Sequence, residues 1–219
     1  MTTLTGPCKD ATSGKADSLV IFLHGYGSDG NDLIGIGDSL AEHLPSTTFL
    51  APNAPQRCAN NPMGYQWSPI PWLDGSTEEL ARQGQVEAVA MLNTWLDEVA
   101  VTEGIDPERT IIFGFSQGAM MALHVGPRRE MAFAGIVGFS GRLLEPGLLE
   151  AEMQSKPPIL LVHGDSDDMV PPAVLPEAAD ALVKAGFEVY THISKNTGHG
   201  IAPDGLNMAL RFIKMKLDN

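Results

Sequence analysis

Cysteine is scarce in this chain: only Cys8 and Cys58 occur among its 219 residues. Two cysteines are too few for the disulfide scaffold that small secreted proteins use. Free thiols are the expectation, and a single Cys8–Cys58 bridge stays open. Residues 1–7 contain neither a basic region nor an apolar stretch of the signal-peptide type. We therefore expect no secretory signal and a cytoplasmic location.

Basic charge is also in short supply, since 14 Lys and Arg residues face 27 Asp and Glu residues, for a formal charge of −13. Nucleic acids and anionic membrane surfaces bind basic patches, so we expect neither of them as a partner. No apolar run approaches the ~18 residues that a membrane span requires, and we expect no membrane span. Internal repeats, linkers and low-complexity tracts are absent as well.

The chain does have the composition of a folded domain, with 43% hydrophobic and 19% charged residues. Short apolar runs alternate with helix-like segments, which predicts βαβ units. The fold class is therefore α/β, with a mostly parallel central sheet that carries helices on both faces. We predict a single domain over residues 1–219, with strands at Leu19–Leu23, Thr48–Ala51, Thr110–Phe113, Ala134–Phe139, Ile159–Val162 and Glu188–Ile193, and helices at Asp32–His43, Ser76–Val101, Gln117–Val125, Pro176–Ala185 and Asp204–Leu217.

Residues 52–75 interrupt this rhythm, because five prolines are interleaved there with one tyrosine and two tryptophans. A structureless loop of this length in a compact domain is usually functional or disordered. The helix that follows is predicted to begin with the capping box Ser76-x-x-Glu79. Gly186 is the expected C′ glycine of the helix Pro176–Ala185.

The most informative motif is Gly114-Phe115-Ser116-Gln117-Gly118. It follows a run of strand type and precedes a helix-competent stretch, which is the context that a nucleophile elbow needs. A serine at the tip of such a turn is exposed above the sheet, and glycines on both sides avoid a clash between strand and helix. Ser116 is therefore the candidate nucleophile.

A serine nucleophile needs a histidine base that a carboxylate orients. On this scaffold the three residues follow the order Ser, Asp or Glu, His. Four of the six histidines come after Ser116, namely His124, His163, His192 and His199. His199 lies between two glycines in a loop after the last strand, from which it can reach the sheet edge, so it is the predicted base. His192 lies in a strand-like alternation that is typical of a surface residue.

The acid is expected in the loop after the strand Ile159–Val162, because sites form at the carboxyl ends of parallel strands. That loop offers Asp165, Asp167 and Asp168, and spacing alone does not choose among them. A Ca²⁺ or Mg²⁺ site is an alternative use of these three carboxylates together with His163. The loop lacks the glycine and distal glutamate of an EF-hand, so no metal is predicted.

Oxyanion stabilisation requires backbone donors, and the N–H of Gln117, directly after the nucleophile, is the first of them. A second is expected in the glycine-rich loop Leu23-His24-Gly25-Tyr26-Gly27-Ser28-Asp29-Gly30. That loop could alternatively hold a phosphate. It matches neither nucleotide-binding glycine pattern, and no cofactor is predicted.

These motifs together resemble the phospholipase/carboxylesterase group of α/β-hydrolases, the bacterial relatives of acyl-protein thioesterases. The matching segments span nearly the whole chain in family order: Phe22-Leu23-His24-Gly25-Tyr26-Gly27, Ala51-Pro52-Asn53-Ala54-Pro55, Gly114-Phe115-Ser116-Gln117-Gly118, His163-Gly164-Asp165-Ser166-Asp167 with Val170-Pro171, and Gly198-His199-Gly200. The resemblance implies an α/β-hydrolase fold without a large cap domain.

The resemblance also assigns residues. It implies that Asp167 is the acid, although Asp168 stands where many relatives have proline. It implies that the backbone N–H of Tyr26 is the other oxyanion donor, at a position where relatives often have leucine. The family's substrate loop corresponds to residues 53–75, so an acyl chain is expected to bind along its apolar residues, which are Met63, Tyr65, Trp67, Ile70, Trp72 and Leu73. These side chains could equally anchor the loop to the body of the domain.

The expected function is that of a serine carboxylesterase acting on short- to medium-chain esters, with lysophospholipids or S-acyl thioesters as further substrates that the resemblance implies. The first alternative is a peptidase of the same fold. The second is a non-catalytic α/β-hydrolase that binds a small ligand, and the third is a metal-binding or regulatory protein built on Asp165–Asp168. The proline- and tryptophan-bearing loop could also serve as a homodimer interface.

Overall fold

A computed structural model of the chain describes residues 4–218. Residues 1–3 and residue 219 of the predicted domain lie outside the described residues. Residues 1–3 also belong to the segment 1–7, in which no secretory signal is expected. The strands are β1 (Cys8–Lys9), β2 (Ser18–Leu23), β3 (Thr47–Leu50), β4 (Gln56–Arg57), β5 (Tyr65–Gln66), β6 (Thr110–Phe115), β7 (Gly135–Phe139), β8 (Ile159–Gly164) and β9 (Val189–Ser194). The helices are α1 (Gly30–Ala41), α2 (Pro71–Asp74), α3 (Glu78–Glu103), α4 (Gln117–Val125), α5 (Leu149–Glu152), α6 (Val174–Lys184) and α7 (Pro203–Leu217).

Seven strands form the central sheet in the order β1-β3-β2-β6-β7-β8-β9. Strand β1 is antiparallel to β3, and all other neighbours in this sheet are parallel. All six predicted strands are confirmed, with ends shifted by one or two residues. The prediction missed β1, because two residues are too few to produce a recognisable alternation.

The two faces of the sheet bury separate hydrophobic clusters, because successive side chains of a strand point to opposite sides. Val20 and Phe22 pack with residues of α1 and α7 on one face. Ile21 and Leu23 pack with residues of α3, α4 and α6 on the other face. The predicted α/β-hydrolase fold, with a mostly parallel sheet and helices on both sides, is confirmed.

Two helix termini test the predicted capping residues. The predicted capping box at Ser76 is wrong by one residue: Thr77 is the N-cap of α3, and its side chain accepts the N–H of Leu80 at 3.2 Å. Adjacent hydroxyl residues compete for this role, and the backbone geometry selects the second. The predicted C′ glycine is confirmed, since Gly186 follows α6 with φ of +85°.

The segment 52–75 is more ordered than the sequence suggested. It contains the two-stranded hairpin β4–β5 and the short helix α2. Strand β5 also reaches the glycine-rich loop after β2 through a bridge between Ser28 and Tyr65. No helix within residues 4–218 is long and apolar enough to cross a membrane.

Candidate active site

Ser116 lies at the sharp turn between β6 and α4, with φ of 53° and ψ of −117°. This conformation is rare for a residue with a side chain, and strain of this kind clusters at functional sites. The N–H of Ser116 donates to the carbonyl of Phe139 at 2.8 Å, which anchors the turn to β7. A Cβ on Gly118 would lie 1.9 Å from the carbonyl oxygen of Leu23, and one on Gly114 would lie 2.5 Å from the backbone of Ala119. The two glycines of the motif therefore permit the close crossing that the elbow requires.

A chain of hydrogen bonds links Ser116, His199 and Asp167. Nε2 of His199 lies 2.9 Å from Oγ of Ser116, and Nδ1 lies 2.8 Å from Oδ2 of Asp167. The carboxylate only accepts, so Nδ1 carries the imidazole hydrogen and Nε2 is free to accept from the hydroxyl. The ring of Phe115 packs on His199 with a centroid distance of 5.0 Å. All three predicted residues thus meet in the arrangement of a nucleophile, a base and an orienting acid.

Asp167 is held by several donors inside the protein. Its side chain is fully buried, and Oδ1 accepts the N–H groups of Met169 and Val170 at 3.0 and 2.9 Å. Burial alone would raise the pKa of Asp167, but the hydrogen bonds from Val170 and His199 outweigh it and lower the pKa. The carboxylate therefore stays ionised, as an orienting acid must.

The other predicted acids point elsewhere. Asp165 and Asp168 are exposed, and Asp165 accepts a hydrogen bond from the hydroxyl of Ser166. The fold brings Asp167 to His199 and leaves these two neighbours outside the hydrogen-bond chain. Within residues 4–218, no group of three or more His, Cys, Asp or Glu side chains is arranged to hold a metal ion.

The remaining histidines have other surroundings. His192 is half-buried on the edge strand β9, where Nε2 lies 2.8 Å from the carboxylate of Asp204. His124 is buried within α4. His163 is buried behind the acid, with Nε2 at 2.9 Å from the carbonyl oxygen of Val170 and 3.3 Å from Oδ2 of Asp167. Sequence reasoning considered His163 among the candidate bases and beside the aspartates of a possible metal site, and it missed the place of His163 behind Asp167.

The predicted oxyanion donors lie on the two sides of Ser116. Gln117 is the first residue of α4, so its N–H has no acceptor within the helix and adds to the positive end of the helix dipole. Tyr26 follows Gly25, where an added Cβ would lie only 3.3 Å from the Cβ of Ser116. The loop that bears Tyr26 is therefore packed directly against the elbow.

The side chain of Gln117 forms a second contact that the sequence did not reveal. Its Oε1 accepts the N–H of Trp67 at 2.9 Å, and its Nε2 donates to the carbonyl oxygen of Ser68 at 2.8 Å. The Gln117 side chain is thus paired with the backbone of the 52–75 segment. The same residue joins the elbow to the predicted substrate loop.

His24 is a further residue that sequence reasoning passed over. It is completely buried; its Nδ1–H donates to the carbonyl of Gly25 at 2.8 Å, and its Nε2 accepts the N–H of Ala54 at 2.9 Å. Burial lowers the pKa of His24. The ring is therefore a neutral bridge between the Tyr26 loop and the start of the 52–75 segment.

The predicted substrate-binding residues divide by exposure. Trp67 is fully buried, and its indole N–H donates to the carbonyl of His24 at 3.0 Å. The groove-lining role predicted for Trp67 needs correction, because it anchors the loop in the core. Tyr65 and Ile70 are half-buried, whereas Met63 is 81% and Trp72 65% exposed. These four side chains remain accessible to a ligand.

The cysteines do not pair: Cys8 is exposed and Cys58 is buried, both as free thiols.

Known proteins with similar sequences belong to one family. The sequence model of the family described as Phospholipase/Carboxylesterase matches residues 10–217. Acyl-protein thioesterase 1 of Saccharomyces cerevisiae is 30% identical over 217 residues, which cover 93% of this chain and 95% of that protein. Esterase YpfH of Escherichia coli is 27% identical over 202 residues, which cover 91% of this chain and 83% of that protein.

A solved structure is similar over the same length. The crystal structure of esterase PE8 superimposes with a TM-score of 0.93 and 45% sequence identity, covering 99% of this chain and 100% of that one. The fold, the family match and these relatives agree with the resemblance drawn from the sequence motifs. The chain belongs to the phospholipase/carboxylesterase family and is a serine hydrolase that acts on ester bonds.

Proposed function

We propose that this chain hydrolyses carboxylic esters with short or medium acyl chains through an acyl-enzyme on Ser116. The observation that carries the proposal is the hydrogen-bond chain in which His199 lies 2.9 Å from Oγ of Ser116 and 2.8 Å from Oδ2 of Asp167. A serine hydroxyl within this distance of an oriented imidazole can lose its proton as it attacks a carbonyl carbon.

In the proposed mechanism, Oγ of Ser116 attacks the ester carbonyl while Nε2 of His199 takes the hydroxyl proton. The resulting imidazolium is stabilised by Asp167, and it then gives its proton to the leaving alkoxide. Water repeats the sequence on the acyl-enzyme and releases the carboxylic acid. The backbone N–H groups of Tyr26 and Gln117 stabilise the oxyanion in both steps, and each such donor contributes on the order of 10²–10³ in kcat.

The substrate class follows from the leaving group as well as from the acyl pocket. A thiolate leaves with less help from His199 than an alkoxide does, so the same three residues are able to cleave S-acyl thioesters. Acyl-protein thioesterase 1 carries that activity in its name, whereas YpfH is named an esterase. We infer that oxygen esters are the principal substrates here and that thioesters and lysophospholipids are further substrates. The half-buried Tyr65 and Ile70 suit an acyl chain of modest length.

Hydrolysis of p-nitrophenyl esters from acetate to palmitate tests the proposal, with p-nitroanilides and an acyl-CoA thioester assayed beside them. Turnover should peak at short or medium chains, and Ser116→Ala should abolish it while the circular dichroism spectrum stays native. Retained esterase activity in Ser116→Ala would exclude Ser116 as the nucleophile.

The alternatives predict other patterns in the same assay. A peptidase would cleave the anilides at rates comparable with the esters. A non-catalytic binding protein would turn over none of these compounds although it is folded. For the acid, Asp167→Asn should lower kcat by on the order of 10⁴, as the loss of the orienting carboxylate does in other serine triads, and Asp168→Asn should have little effect.

A further inference from the structure

The hydroxyl of Tyr26 makes a hydrogen bond that a purely backbone role in the oxyanion site would not need. It donates to Oδ2 of Asp74 at 3.0 Å. Asp74 ends α2 and organises the turn around it: Oδ2 also accepts the N–H of Ile70 at 2.8 Å, and Oδ1 accepts the N–H of Ser76 at 2.9 Å. The hydroxyl of Tyr26 therefore holds the residue on which the fold of α2 depends.

This contact begins at a residue whose backbone lies beside the reacting serine. Gly25, next to Tyr26, is packed against the Cβ of Ser116, so the backbone of Tyr26 lies beside the reacting serine. The side chain extends from there to Asp74. The segment that it reaches carries Ile70, which is half-buried, and Trp72, which is 65% exposed. One tyrosine side chain thus separates the proposed oxyanion donor from the apolar residues of α2.

Other bonds between the two loops hold the hairpin and not α2. The N–H of Gly27 donates to the carbonyl of Tyr65 at 2.8 Å, and the side chain of Asn61 donates to the carbonyl of Gly27 at 2.7 Å. Within residues 4–218, the bond from Tyr26 to Asp74 is the single hydrogen bond between residues 24–28 and residues 70–75. Asn60 of the hairpin segment also donates to the carbonyl of Leu73 in α2 at 2.8 Å, so the hairpin links the two indirectly and the pair is the direct link between the oxyanion loop and α2.

The protonation states suit a permanent link. Burial, the nearby Cys58 thiol and Asp74 raise the pKa of Tyr26 well above its usual range. Burial would raise the pKa of Asp74, but hydrogen bonds from Ser76 and Ile70 prevail and lower it. A protonated hydroxyl thus faces an ionised carboxylate across the neutral pH range, and bonds of this charge-assisted kind are the stronger ones.

We propose that Tyr26 and Asp74 form a specificity-determining pair that fixes α2 at the mouth of the site, so that Ile70 and Trp72 contact the acyl chain of medium-length substrates. The proposal rests on the esterase function proposed above. An octanoyl group offers more apolar surface to Ile70 and Trp72 than an acetyl group does, so the pair should affect octanoate esters much more than acetate esters. Tyr26 and Asp74 act here by positioning, separately from the backbone N–H of Tyr26.

The test compares kcat and KM for p-nitrophenyl acetate and octanoate in the wild type and in Tyr26→Phe, which keeps the ring and the backbone N–H. We expect the octanoate-to-acetate ratio of kcat/KM to fall by on the order of tenfold, mainly through a higher KM for octanoate, as the loss of one hydrogen bond to a charged group would cause. The matched control is Tyr190→Phe, which removes another tyrosine hydroxyl bonded to a carboxylate, that of Glu188 on the far edge of the sheet. The control should leave the ratio unchanged.

A double-mutant cycle with Asp74→Ala separates the effect of the bond between Tyr26 and Asp74 from the effects of the two residues taken singly. Asp74→Ala also removes the bonds to Ile70 and Ser76, so it should lower the ratio at least as much as Tyr26→Phe does. Adding Tyr26→Phe to Asp74→Ala should then change the ratio by less than about twofold, because the partner is already absent. Should Asp74→Ala not fold, Tyr26→Phe with its control decides the question alone.

The outcomes distinguish this inference from the proposed function. If the wild type hydrolyses no ester, or if Ser116→Ala remains active, the proposed function fails. If the wild type is active and Tyr26→Phe leaves the ratio unchanged or raises it, the specificity pair is overturned and the esterase function stands. An equal loss on both esters also overturns the pair, because it would assign the hydroxyl to the oxyanion site.

Discussion

Gln117 accepts a hydrogen bond from the backbone N–H of Trp67 through its side-chain oxygen, at a distance of 2.9 Å. Its side-chain nitrogen donates to the next carbonyl along the loop, that of Ser68, at 2.8 Å. The backbone N–H of the same residue is a donor in the proposed oxyanion site. One residue therefore connects the proposed oxyanion site with the proposed substrate loop.

Replacement of Gln117 by glutamate tests this connection, because it keeps the shape of the side chain and exchanges the donor for an acceptor. The new oxygen would face the carbonyl of Ser68, so a buried pair of acceptors would have no hydrogen between them. We expect the free energy of unfolding to fall by ~1–3 kcal/mol, and kcat/KM to fall by ~10–100-fold as the loop moves. Urea unfolding and ester kinetics measure the two effects.

The control for this variant is Gln154→Glu at an exposed position, which should stay within ~0.5 kcal/mol of the wild type. Wild-type kinetics in Gln117→Glu would mean that the loop holds its place without this side chain.

The parts of the site that the sequence predicted are those that a local pattern encodes. Ser116 lies in a strand–turn–helix motif, and His199 follows from the order of the residues and its glycine-flanked loop. The bond between Gln117 and Trp67 joins residues 50 positions apart, and no local pattern reports such a pairing. The same is true of the contact between Tyr26 and Asp74, 48 positions apart.

Short elements were missed for a different reason. Strands of two residues, such as Gln56–Arg57 and Tyr65–Gln66, contain too little sequence for an alternation to be detected. The resemblance places Trp67 in the substrate loop, where lining a groove and anchoring the loop are both open, and its fully buried ring supports the anchoring role. The burial of one residue in an irregular segment depends on tertiary packing that composition does not report. Asp167 and the Tyr26 donor came from the resemblance and not from spacing.

The strained backbone of Ser116 predicts that a glycine at this position stabilises the fold although it abolishes activity. A φ of 53° with a ψ of −117° is accessible to glycine and costs another residue ~1–3 kcal/mol. Ser116→Gly and Ser116→Ala should both be inactive, but the glycine variant should be the more stable by ~1 kcal/mol, after subtraction of the extra entropy of glycine in the unfolded chain. That difference corresponds to a rise of ~2–4 °C in Tm for a chain of this size.

A serine within a helix provides a control, because there the difference in stability between the glycine and alanine variants should have the opposite sign. Ser39 is exposed within α1, and Ser39→Gly should be less stable than Ser39→Ala by ~1 kcal/mol because glycine is a poor helix former. Equal melting temperatures for the two Ser116 variants would mean that the turn relaxes without strain.

Buried histidines predict how stability depends on pH. Burial lowers the pKa of His24, and burial together with Arg128 lowers the pKa of His124. As the pH falls below ~6.5, the unfolded chain binds protons at these two positions before the folded protein does. The free energy of unfolding should therefore be highest above this pH and decrease below it, by at most ~1.4 kcal/mol per pH unit for each histidine.

Urea unfolding between about pH 5 and pH 8 measures this dependence. In His24→Gln the free energy of unfolding should decrease less steeply below pH 6.5, by up to the ~1.4 kcal/mol per pH unit that one bound proton contributes. His43→Gln, at an exposed position, should keep the wild-type slope. An unchanged slope in His24→Gln would mean that His24 is solvated or protonated in the folded protein.

His163 is predicted to act through the carboxylate that orients the base. Because the carbonyl of Val170 can only accept, Nε2 of His163 must carry a hydrogen, and Oδ2 of Asp167 lies 3.3 Å from the same nitrogen. His163→Phe removes this donor and leaves Asp167 with the N–H groups of Met169 and Val170 and the imidazole of His199. We expect kcat to fall by ~10-fold, because the loop that carries Asp167 loses its anchor to the imidazole of His163. His192→Gln, a histidine bonded to a carboxylate away from Ser116, should leave kcat unchanged. A wild-type kcat in His163→Phe would mean that Asp167 keeps its position without this donor.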